Sequence, residues 1–243
     1  MSDTNNKPLN RESLIKPNGQ FHFSWLAKTS VDILKGQFAA MLQGCVILLV
    51  SVIACGIALS YFFSLEDMSK LTTSQQGIID IALILVVAPL TAGISVMGVR
   101  AARHQSVKAL DIFNYAPLVV VLGLAQLLIS ILVQIGLILL ILPGVYILIA
   151  TTYALPLIAD KNLGIFDAIL QSCKTVNKFI LSFIVLFGAY FVLFLLSLFT
   201  FGFALLFVMP LYFISLGVIY VVLFDDNNPS DFPSDQQELK FDA

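Results

Sequence analysis

Polar and apolar positions alternate along this chain on the scale of whole helices rather than single residues. No Asp, Glu, Lys or Arg occurs in 36–65, 81–99, 112–159 or 179–224. About 20 apolar residues cross a bilayer core as one helix, so the first two stretches predict one span each, at 39–63 and 78–99. The third is long enough for two. Proline stops a preceding helix and glycine permits a reversal, so Leu142-Pro143-Gly144 predicts spans at 117–141 and 144–159. A break at Thr200-Phe201-Gly202 divides the fourth stretch into 179–199 and 203–224. The expected fold is all-α: a polytopic integral membrane protein with six transmembrane helices within 21–224.

The basic residues support this count. Lys and Arg number five before the first span, then 1, 3, 0, 3 and 0 in the successive loops, and one in the tail. Twelve of thirteen thus fall in alternate segments, which by the positive-inside rule places both termini in the cytoplasm. Composition narrows the class further. With 59% apolar and 12% charged residues, against roughly 25% charged in a soluble domain, the chain is excluded as a soluble enzyme, a nucleic-acid binder or a disordered scaffold. No cleavable signal peptide is expected, because the apolar run begins too late. Cys45, Cys55 and Cys173 do not form a disulfide framework.

Each odd-numbered span follows a short amphipathic segment expected to lie at the interface. The apolar faces are Val31, Leu34 and Phe38; Val107, Leu110 and Phe113; and Phe166, Ile169, Leu170, Cys173 and Val176. Each even-numbered span carries a Pro-Leu pair, making Pro89, Pro156 and Pro210 candidate kinks. The pattern is either a threefold repeat of interfacial helix, outward helix and return helix, or the ordinary tolerance of membrane helices for proline. Residues 1–20 are polar and expected to be poorly ordered, with Phe21, Phe23 and Trp25 at the interface. The acidic tail, 225–243, is either a solvated segment or a docking site for a basic partner.

Chemistry is sparse. No ionisable residue lies deep in a span, which argues against ion-coupled transport through buried carboxylates. Gln126, Ser130 and Gln134 share one face of the third span, and Thr151 and Thr152 lie at comparable depth on the fourth. This polar face serves either interhelical hydrogen bonding or a solute pathway. Arg100, Arg103, His104, Lys174 and Lys178 are candidate contacts to anionic headgroups. Gly93-Ile94-Ser95-Val96-Met97-Gly98 has the wrong spacing for a nucleophile elbow. His22 and His104 lack metal-ligand spacing, so no catalytic, metal or cofactor site is expected.

The run Leu142-Pro143-Gly144 to Ala159-Asp160-Lys161-Asn162-Leu163-Gly164, followed by Asp167-Ala168-Ile169 and Ser172, resembles bacterial inner-membrane families. Among them are the YciC-like proteins and the membrane domains fused to some glycerophosphodiester phosphodiesterases. Pro89, Gly93 and the segment 100–113 resemble the corresponding earlier part, so the likeness covers roughly 20–224. It implies a six-helix inner-membrane protein and brings no catalytic residues. The soluble phosphodiesterase domain of some relatives has no counterpart in this sequence, so its activity does not follow. The expected function is non-enzymatic: lipid binding, or support of envelope homeostasis or membrane-protein assembly. The expected partners are membrane lipids, another membrane protein or a second copy, and not nucleic acid. The alternative is a permease or channel for a neutral or amphiphilic solute along the polar face of the third span.

Overall fold

Long apolar segments must satisfy their backbone polar groups internally, which in lipid means helix. The computed structural model describes residues 9, 11–17, 19–62 and 73–225, and no strand occurs among them. In chain order the elements are α1 (Arg11–Leu14), α2 (Phe23–Phe62), α3 (Thr73–Ala102), a 3₁₀ helix (Ala109–Leu118), α4 (Val119–Leu139) and α5 (Ile141–Ala150). They continue with α6 (Ala154–Lys161), α7 (Ile165–Lys178), α8 (Ile180–Phe199) and α9 (Leu205–Phe224). Six helical stretches are long and apolar enough to cross a membrane: Phe23–Tyr61, Gln76–Ala102, Ala109–Leu139, Ile141–Lys161, Ile180–Phe199 and Leu205–Phe224.

The carboxyl-terminal half of α3 forms the axis. It is buried almost continuously from Ala88 to Ala102 and packs against α2, α4, α6, α9 and the 3₁₀ helix. A helix that is apolar all round must be enclosed on all sides. Close approach is possible because α3 presents glycines. A Cβ on Gly98 would lie 2.3 Å from the Phe213 carbonyl oxygen, and one on Gly217 would lie 2.3 Å from that of Gly98. Gly93 makes the same allowance for Ile112 of the 3₁₀ helix, at 2.2 Å. α3 and α9 thus cross with their backbones in contact.

Several boundaries differ from those expected. The first amphipathic segment is no separate interfacial helix but the beginning of α2, which runs unbroken through the first span; residue 63 lies outside the described residues. The third and fourth spans turn at Leu140, whose backbone is extended, rather than at Leu142-Pro143-Gly144. Pro143 falls in the first turn of α5, where its missing N–H would have had no intrahelical partner. Gly144 packs against Gly136 of α4, with a Cβ on Gly136 only 2.8 Å from the Gly144 Cα. The turn at Thr200-Phe201-Gly202 lies as expected, with Phe201 and Gly202 at φ 50° and 85°.

The fourth span is interrupted. α5 ends at Ala150, a turn occupies Thr151–Tyr153, and α6 begins at Ala154. Ser172 of α7 bridges the gap: its hydroxyl donates to the Ala150 carbonyl at 2.6 Å and accepts from the Tyr153 N–H at 3.2 Å. Pro156 therefore sits in the first turn of α6 and not within a kinked helix, whereas Pro89 and Pro210 lie inside α3 and α9. The amino-terminal order also begins earlier than expected. Leu14 is fully buried, and Ile15 forms a bridge with Phe21. Phe21 is not an interfacial aromatic: it packs on Phe179 and Phe183, and its N–H donates to Ser182 Oγ.

Candidate functional site

The polar face expected in the membrane does not assemble. On α4, Gln126 and Ser130 are half-buried and Gln134 is exposed, because the face turned inward is Leu122, Gly123, Ala125, Ile129 and Gly136. Ser130 donates to the Leu127 carbonyl of its own helix. Thr151 and Thr152 likewise bond back to Ile147 and Ile149. Such i−3 and i−4 bonds satisfy hydroxyls locally. Among the described residues, no hydrogen bond joins any two of these five side chains.

The expected headgroup contacts separate into two groups. Arg103 follows α3 directly and is an internal clamp rather than a lipid contact. Its Nη1 and Nη2 donate to the two oxygens of Asp160 at 2.9 and 2.8 Å; its Nε and Nη2 donate to Asp225 at 2.8 and 2.6 Å. The hydrogen bonds it donates to Asp225, and then those to Asp160, raise its affinity for the proton still further, against the opposing effect of burial. Tyr220 donates to Asp160 at 3.0 Å, and Lys161 reaches the Phe224 carbonyl at the end of α9. The carboxyl-terminal ends of α3, α6 and α9 are thereby tied together. Asp225 belongs to this clamp; the acids beyond it lie outside the described residues.

Arg100 is paired with Asp111 at 3.8 Å. His104, at φ 56°, ends α3 in a Schellman turn, with the His104 and Gln105 N–H groups bonded to Ala101 and Arg100 carbonyls. Lys174 and Lys178 keep the expected exposure. α7 buries the narrow stripe Ala168, Ser172 and Val176, while Phe166 and Leu170 face outward with the lysines. Small residues on α7 let it lie close beneath the α5–α6 break.

A groove of about 610 Å³ runs between α5, α8 and α9. Its walls are Leu142 to Ile149 on α5, Ile180 to Phe194 on α8, and Val208, Met209 and Tyr212 on α9. Along α8 these residues span about 21 Å at 1.5 Å per residue. The lining contains no charged residue. Tyr190 is already occupied, bonded to Ser215 Oγ at 2.6 Å and the Leu211 carbonyl at 3.2 Å. Gly188 leaves the groove wide at its centre, with nothing within 4 Å of where a Cβ would stand. Sequence periodicity does not reveal this cavity, because a wholly apolar helix such as α8 gives no sign of which side is hollow.

Such a lining can hold a hydrocarbon chain by exclusion and dispersion. No family model, curated protein or solved structure matches the chain.

Proposed function

We propose that this chain is a non-enzymatic integral protein of a bacterial inner membrane that binds lipid, with both termini in the cytoplasm. Its site is the groove between α5, α8 and α9, which takes up an acyl chain. The groove is the observation that carries this reading: about 610 Å³ of space walled by hydrocarbon, within the roughly 300–1,000 Å³ of ordinary ligand sites. The distribution of Lys and Arg supports the orientation, and the resemblance to the YciC-like families supports the compartment. The bound lipid would serve envelope homeostasis or the assembly of another membrane protein. A solute pathway along Gln126, Ser130 and Gln134 draws no support from their positions on α4.

Gly188→Leu is the direct test. Its side chain enters open space, and leucine favours a helix more than glycine does. Native mass spectrometry of protein extracted in mild detergent should find lipid on the wild type and little on Gly188→Leu. Equal retention on both would remove the groove as the site.

A further inference from the structure

Two lysines stand in the chain just before one end of the groove, and apolar turns flank the other. Ile180 lines one end of the groove along α8 and Phe194 the other. Lys178 precedes Ile180 by two residues, and Lys174 lies one turn earlier on α7. Both are exposed, and no ion pair joins either among the described residues. Between Asp167 and Asp225 these two lysines are the only charged residues in the sequence. Long lysine stems can lie along apolar surface and present their ammonium groups to headgroups.

The far end offers the opposite environment. Leu142 and Phe194 line it, beside the turns at Leu140 and Thr200–Gly202. Large apolar side chains at the two turns face outward: Ile138 is 85% exposed, Leu142 82%, Phe199 84% and Phe201 97%. The second turn also satisfies its own donors. Phe201 and Gly202 bond to Leu198 and Ser197, and the Ala204 N–H donates to Thr200 Oγ1. Among the described residues, no Lys or Arg lies on either turn.

We infer that the groove selects an anionic phospholipid, with its headgroup at Lys174 and Lys178 and one acyl chain running along α8 toward Phe194. This rests on the proposed lipid-binding function and adds the ligand's charge and direction. The length agrees. One leaflet's chains occupy about 15 Å, half of a hydrocarbon core of about 30 Å, and the groove is longer than that.

Full-length protein is equilibrated with equimolar dioleoyl phosphatidylglycerol and dioleoyl phosphatidylcholine, and the lipid retained on each variant is counted by native mass spectrometry. Each lysine near an anionic surface contributes about a fivefold preference, so the pair should favour phosphatidylglycerol roughly 30-fold. Lys174→Gln/Lys178→Gln should still retain lipid, with the preference lost, and a thermal melt like that of the wild type shows that it is folded. Gly188→Leu should retain neither lipid. Wild type without preference, or a double variant that keeps it, overturns the selection while leaving the groove intact. Lipid retained equally by Gly188→Leu, or by no form of the protein, overturns the groove and the selection together.

Discussion

Arg103 aims its guanidinium at carboxylates 57 and 122 residues away in the chain. Its side chain is 23% exposed and that of Asp160 14%, so removing either partner strands a partly desolvated charge. Asp160→Asn keeps the shape and loses the charge; it should lower stability by about 2 kcal/mol. Arg103→Gln should cost more, because it releases both carboxylates. In thermal unfolding in detergent, the double variant should cost at least ~1 kcal/mol less than the sum of the single ones. Strict additivity would mean that the pair contributes nothing as a pair. The basic character of Arg103 was legible in the sequence and its partner was not. The positive-inside rule locates a charge by membrane side, and Asp160 and Asp225 look like ordinary loop acids until α3, α6 and α9 are brought together.

The crossing of α3 and α9 depends on glycine at two positions. Gly98→Ala or Gly217→Ala would set a methyl 2.3 Å from a carbonyl oxygen, and relief requires the helices to part. Each should destabilise the protein by roughly 3 kcal/mol, the upper part of the range for overpacking. Gly188→Ala, also within an apolar helix but facing open space, should be neutral or slightly stabilising. Comparable melting of all three variants would contradict the backbone crossing. Elements were legible wherever one local signal governs them. The six apolar stretches and the turn at Thr200-Phe201-Gly202 are of this kind. The turn at Leu140 was misplaced because Pro143 marks a helix start as readily as a stop. The break between α5 and α6 left no local trace, since the hydroxyl that stabilises it comes from Ser172, 22 residues beyond Ala150. α7 makes a contact that hydropathy does not announce. Its large apolar residues Phe166 and Leu170 face outward, while Ala168 and Ser172 make the close contact; hydropathy ranks these in the reverse order.

At the scale of the whole molecule, one end of the bundle is tied by charge and the opposite turns are apolar. α3 and α9 form its tight centre, while α5 and α8 are joined less closely and leave the groove between them. Lipid meets every outer face of such a bundle, including the exposed run of Val46, Leu49, Val50, Ile53 and Ile57 on α2. A binding groove differs from these faces by enclosing a chain on three sides. Photocrosslinking with a phospholipid that carries a diazirine at mid-chain, followed by peptide mapping of the adducts, measures that difference directly. Adducts concentrated in 142–149, 180–194 and 208–212, and reduced there by Gly188→Leu, are the predicted result. Adducts spread equally over these segments and 46–57, unchanged by that substitution, would contradict a lipid-binding groove.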